Sequence, residues 1–140
     1  MKNDTLILVL ILAALWWATT QGGIGPSPGP APIPSDKFRV MIVEETAEHN
    51  KTAATLDGWK WREYVKGKGG EFRVFDDDIA DADLAKTPDI WKRLYAKAKE
   101  DAKGVTPWLT ATDGIRSGVS GPLPATEDAL LESLQKIGGK

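Results

Sequence analysis

Three zones of hydrophobic patterning follow one another along the chain. The first is an apolar run without a break over residues 6–18, Leu6-Ile7-Leu8-Val9-Leu10-Ile11-Leu12-Ala13-Ala14-Leu15-Trp16-Trp17-Ala18. It has no polar face, which argues against a helix on the surface of a soluble core. Its thirteen residues at ~1.5 Å each reach about 20 Å, short of a ~30 Å hydrocarbon layer and close to a signal-peptide apolar region. Two features favour an uncleaved anchor. No charged residue falls between Thr5 and Ser35, so a helix can extend through Gln21, and Trp16 and Trp17 sit at one end, where indole rings prefer a membrane interface. The best small-residue cleavage pattern, Ala18-Thr19-Thr20, is poor. Residues 1–21 are therefore expected to form a transmembrane signal-anchor, with residues 5–21 in the membrane. The α-amino group and Lys2 against Asp4 slightly favour an N-terminus inside and the rest of the chain outside.

Residues 22–36 form a second, Pro/Gly-rich zone. Pro26, Pro28, Pro30, Pro32 and Pro34 alternate with other residues. Proline fixes φ and donates no backbone hydrogen bond, so polyproline II is expected. The fourteen residues from Gly22 to Ser35 at ~3.1 Å each span about 43 Å, a semi-rigid spacer. A role as a ligand for proline-binding modules is weaker, because no arginine flanks the segment.

Residues 37–140 alternate apolar runs with turn signals and read as one folded domain. Residues 38–43 predict a buried first strand, followed by a polar loop through His49 and Asn50. Asp57 is placed to cap a helix over Trp59, Trp61, Tyr64 and Val65, stopped by Gly67 and the Gly69-Gly70 pair. Residues 71–75 predict the second strand, ending in Asp76-Asp77-Asp78. Thr87-Pro88-Asp89 predicts a helix start, and Ile90, Trp91, Leu94, Tyr95 and Ala98 give that helix one apolar face before Gly104. Trp108-Leu109-Thr110-Ala111, a turn at Thr112-Asp113-Gly114 and a second short run predict a hairpin. A last helix over residues 126–137, with Gly138 as its C-cap, completes the order β-α-β-α-β-β-α.

Composition changes this picture in three ways. Net charge is −2, from 18 basic and 20 acidic residues, so nothing points to nucleic acid. There is no cysteine, which removes disulfides, thiolate metal sites and a thiol nucleophile. His49 is the only histidine, so no site needing two can form. No cofactor is implied.

The order of elements, Thr106-Pro107 before the third strand, and Leu130, Leu134 and Ile137 on the last helix together resemble the thioredoxin fold. The resemblance covers residues 38–138. It implies an α/β domain with a mixed four-stranded sheet flanked by helices on both faces, and a cis bond before Pro107. The family's Cys-x-x-Cys is missing. Its place reads Ala47-Glu48-His49-Asn50-Lys51-Thr52, so redox function does not carry over. Thioredoxin-like proteins grip extended polypeptide beside that loop and proline, which implies binding through His49, Pro107 and the helix bearing Trp59 and Trp61.

Each candidate has a plainer alternative. Trp59 and Trp61 are two apart on one helix and cannot face the same way, so one is expected in the core and one at least partly exposed. Lys60 and Arg62 beside them would bias an exposed ring toward acidic partners. His49 lies close in sequence to Glu44, Glu45 and Glu48, an acid–base pair in principle and ordinary surface in most proteins. The strand end Val74-Phe75-Asp76-Asp77-Asp78-Ile79 resembles the Asp-x-Asp start of haloacid-dehalogenase-type phosphatases. There Asp76 and Asp78 would hold Mg²⁺ through hard oxygen ligands. The motif lies on the second strand rather than the first, and acidic strand ends are mostly solvated turns. The sequence reading is thus a single-pass membrane protein carrying a redox-inactive thioredoxin-like domain that binds an unidentified protein. By analogy of architecture its setting is a bacterial envelope or a virion membrane, with the domain outside the cytoplasm. A small metal-dependent hydrolase is the competing class.

Overall fold

The computed structural model describes residues 28–139, so the expected anchor over residues 1–21 lies outside the described residues. Among the described residues no helix is long and apolar enough to cross a membrane. The elements in chain order are β1 (Arg39–Glu44), a 3-10 turn (Thr46–Glu48), α1 (His49–Leu56), α2 (Trp59–Gly67), β2 (Glu71–Asp76), α3 (Asp81–Ala85), α4 (Asp89–Ala102), β3 (Trp108–Thr112), β4 (Gly118–Pro122) and α5 (Glu127–Gly138).

The strands form one mixed sheet in the order β2-β1-β3-β4. β1 runs parallel to β2, with Arg39 opposite Glu71, and antiparallel to β3, with Arg39 opposite Thr112. β3 and β4 form the hairpin. All six residues of β1 are buried, as expected of a central strand covered on both faces. The period of two then splits its side chains. Val40 and Ile42 join a cluster with Leu56 of α1, Trp61 and Val65 of α2, and Leu130, Leu134 and Ile137 of α5. Met41 and Val43 join a second cluster with Phe75, Trp91, Leu94 and Ala98 on the other face. Helices on both faces and the cis bond between Thr106 and Pro107 agree with the sequence reading.

Several local expectations are corrected. The polar loop after β1 is a 3-10 turn followed by α1. Only Thr55 and Leu56 of α1 are buried, so it carries no apolar stripe to reveal it. Tertiary bonds hold it instead, including Thr55 Oγ1 donating to the Ala125 carbonyl at 3.0 Å. Asp57 ends α1 rather than capping α2, whose N-cap is Gly58. With no side chain at that position, Glu127 of α5 supplies the cap from outside. Its carboxylate accepts from the Lys60 amide at 2.6 Å, satisfying a first-turn N–H that the helix leaves unpaired. Pro88, not Thr87, precedes α4, because the Thr87 hydroxyl donates to the Asp83 carbonyl of the unanticipated short α3. Thr126 caps α5 as expected, accepting from Ala129 N at 3.2 Å, while the C-cap is Gly139 (φ 79°) rather than Gly138.

The described end of the proline-rich zone is not a free spacer. Gly29 forms a β-bridge with Gly118, Ile33 packs against the second cluster, and Ser35 N donates to the Gly114 carbonyl at 2.9 Å. Residues 29–35 therefore pack on the domain expected over residues 37–140.

Candidate functional site

The C-terminal end of β1, the turn and α1, and the cis-proline meet at one end of the sheet. A cleft of about 170 Å³ opens between them. Glu44, Glu45, Glu48, Lys51 and Thr52 line it from the β1–α1 side, with Thr106 and Pro107 completing the wall. The resemblance pointed to this position, and Pro107 is in it.

Glu44 is the organising group. It is 7 % exposed, and an unpaired buried carboxylate would be costly. His49 Nδ1 donates to its two oxygens at 3.0 and 3.1 Å, and Thr52 Oγ1 donates at 3.2 Å. The other ring nitrogen of His49 lies 3.5 Å from Asp57 Oδ2. The hydrogen bond to Glu44, with Asp57 adding to it, raises the His49 pKa above the usual histidine value. A protonated His49 thus neutralises Glu44 and ties the start of α1 to the end of β1. Lys51 does the same for Glu48 at 2.8 Å.

Glu45 lacks such a partner among the ion pairs of the described residues. It lies with Asp76 and Asp78 in a trio whose ligand atoms fall within 4.8 Å of one another. Asp76 accepts from Thr46 N at 3.2 Å and from Asp78 N at 2.8 Å. The bond to Thr46, then that to Asp78, hold the Asp76 carboxyl below its ordinary value. Asp77 points away: its carboxylate pairs with Lys99, and its carbonyl accepts from Tyr95 Oη at 2.8 Å. The acidic strand end is therefore split, and it is Glu45, the residue that follows the neighbouring strand β1, that joins Asp76 and Asp78. The sequence signal was the Glu44-Glu45 pair closing the first strand, where parallel pairing sets Glu44 beside Asp76.

The two tryptophans divide as their spacing requires. Trp61 is fully buried, its Nε1 donating to the Thr55 carbonyl at 2.9 Å and its ring edge-on to Phe72 at 4.9 Å. It is core and has no surface to offer a partner. Trp59 is 69 % exposed, but it does not line the cleft. The basic bias expected from its neighbours is absent. Lys60 pairs with Asp128 at 2.9 Å, and Arg62 donates to the Leu56 carbonyl while lying over the Trp61 and Phe72 rings. The free charge at this end of the sheet is the negative charge of Glu45, Asp76 and Asp78.

No protein-family model matches the chain, and neither the curated proteins nor the solved structures contain a match. Fold and site together define a cysteine-free α/β domain with a mixed four-stranded sheet and flanking helices, compatible with a thioredoxin-like fold. Its cis-proline lines an acidic cleft.

Proposed function

We propose that the protein is a membrane-anchored, redox-inactive thioredoxin-like domain that binds an extended polypeptide in the cleft beside Pro107. The setting proposed for it is an envelope or virion membrane, with the domain outside the cytoplasm. The observation that carries the reading is the cleft itself, open between the cis-proline and the β1–α1 turn. Glu44 and Glu48 are neutralised by His49 and Lys51, while Glu45 is not, so the favoured occupant presents a lysine or arginine side chain toward Glu45. Long-range attraction of this kind raises the association rate and falls with salt.

The test uses the full-length chain in detergent solution and three peptides of one alanine–serine backbone, with lysine, alanine or glutamate at the centre. Amide shifts of residues 44–52 and 106 are followed by NMR. The lysine peptide is expected to bind tightest, and Glu45→Gln should remove most of its advantage over the alanine peptide. Failure of all three peptides to shift these amides would end the binding reading.

A second reading, a small metal-dependent hydrolase using Asp76 and Asp78, draws support from the third carboxylate at Glu45. Hard divalent ions take such oxygen ligands. Saturating Mg²⁺ or Mn²⁺ should then raise the melting temperature, by about 2.7 kcal/mol of stabilisation at a hundredfold excess over Kd. Asp76→Asn should abolish that rise.

A further inference from the structure

The described end of the proline-rich zone closes one edge of the sheet. Gly29 and Gly118 exchange backbone hydrogen bonds of 2.8 and 2.7 Å. Gly118 therefore turns its N–H and C=O away from β3, and alternation along an antiparallel strand turns those of Ser120 outward as well. Pro122, next in that series, has no N–H to offer. The β3–β4 hairpin is shaped to receive this strap. A Cβ on Gly118 would lie 1.9 Å from Pro32 Cδ, and one on Gly114, at φ 125°, would lie 2.9 Å from the Ser35 carbonyl oxygen. Arg39, buried in β1, fastens the other end: its Nε donates to Ser35 Oγ at 2.8 Å, and its guanidinium pairs with Asp36 at 2.7 Å and with Glu71.

The opposite edge is β2, which among the described residues pairs only with β1. It carries Glu71, Arg73, a 36 % exposed Val74 and Asp76. An exposed edge strand is a template for another chain. Two β2 edges meeting about their centre would set Glu71 against Asp76, like against like. Two β4 edges would meet with glycines, one serine and a proline. β4 against β2 is free of both faults, because β4 carries no charge. Such a contact joins unlike surfaces and leaves a free edge at each end, so it extends rather than closes.

The geometry points to residues 29–35 as a guard strap: bound, it keeps the chain monomeric, and released, it lets β4 pair with β2 of a second copy. The strap covers the one edge whose exposure would complete a head-to-tail pair.

The experiment compares the full-length chain in detergent with Gly29→Pro/Ile33→Asp. This double change removes a strap donor and the strap's apolar anchor without altering the sheet. Hydrogen exchange at the Gly118 amide reports the strap, and light scattering after size exclusion reports mass. In the wild type the Gly118 amide should be protected and the mass should stay at one chain. In the variant that amide should exchange at least about tenfold faster, and the mass should climb with concentration past a dimer. Adding Val74→Lys, which blunts the β2 edge, should return the variant to one chain. Rapid exchange at Gly118 in the wild type would overturn the strap. A variant that exchanges fast yet stays monomeric would overturn the guard. Association indifferent to Val74→Lys, or stopping at a dimer, would overturn β2 as the acceptor. If the double variant fails to fold, Pro32→Gly, which only loosens the strap, is read by the same criteria.

Discussion

Replacing Trp61 and Trp59 by alanine in turn separates core from surface on a single helix. Trp61 is fully buried between α2, β2 and α5. Truncating a buried tryptophan costs about 3–5 kcal/mol through lost transfer energy and the cavity left behind. The Thr55 carbonyl loses its indole donor as well, which adds about 1 kcal/mol or more. The expected loss is therefore about 4–6 kcal/mol, most of the 5–15 kcal/mol typical of a domain. Trp59 is 69 % exposed, and its removal should change stability by no more than about 0.5 kcal/mol. Urea unfolding followed by far-UV circular dichroism suits the comparison, since fluorescence changes with the tryptophan count. At a slope of about 2 kcal/mol per molar, Trp61→Ala should lower the midpoint by about 2–3 M or leave no folded baseline, and Trp59→Ala should barely move it. A Trp61→Ala midpoint within ~0.5 M of wild type, or equal shifts for the two, would refute the assignment of these rings.

Leu134, fully buried on α5, should cost about 2–5 kcal/mol when cut to alanine, and a urea midpoint moving by less than ~1 kcal/mol equivalent would mean α5 is not docked as described. Glu127→Ala removes the external cap of α2 and should cost about 0.5–2 kcal/mol; Gly58→Ala, whose Cβ would fall 2.5 Å from Glu127 Oε1, evicts the same carboxylate, so a double variant whose cost equals the sum of the singles would refute the shared cause. The raised His49 pKa means the folded chain holds that proton more tightly than the unfolded chain. The stability contributed by His49⁺ between Glu44 and Asp57 is then fully present below the unfolded value near 6.5, and it is lost as pH rises through the higher folded value. The stability gap between wild type and His49→Gln should accordingly shrink from pH 5.5 to pH 9, and a gap that is flat or widens across that range would contradict the pairing.

What was legible in the chain depended on how each element is stabilised. β1 and α5 are held by apolar burial, and their four-residue run and i, i+4 leucines announce them. The spacing of Trp59 and Trp61 likewise forced the division that the structure shows. α1 was not legible, because its partners are polar groups outside the helix: Glu44 at the end of β1 for His49 and Thr52, and Ala125, seventy residues on, for Thr55. The five-residue α3 buries only part of Leu84 and is too short to show periodicity. Proline content predicts an extended segment over residues 22–36, of which residues 22–27 lie outside the described residues. Whether such a segment docks is decided elsewhere, by Gly114 and Gly118 some eighty residues later, which leave room for Ser35 and Pro32. At the candidate site, His49 with its neighbouring glutamates and the Asp76–Asp78 pair were each visible, but their meeting at Glu45 required the parallel register of β1 and β2.

That meeting bears on how the two functional readings relate. Glu45 belongs both to the cleft lining and to the carboxylate trio. A basic side chain and a divalent cation would therefore draw on the same negative charge, and each weakens the site for the other. The two differ in what they need beyond it. A metal needs the convergence of Asp76 and Asp78 with Glu45, and hard ions are sensitive to that ligand count. A polypeptide needs the cleft wall, which depends on α1 being held to β1 by the Glu44–His49–Thr52 network. His49→Gln should thus weaken peptide binding above all, while leaving the carboxylate trio intact. Asp78→Asn should weaken metal-linked stabilisation while leaving the wall in place. Glu44, His49 and Thr52 are engaged with one another in holding the wall. Glu45, Asp76 and Asp78 are left to meet a ligand, and of these Glu45 alone also lines the cleft beside the cis-proline.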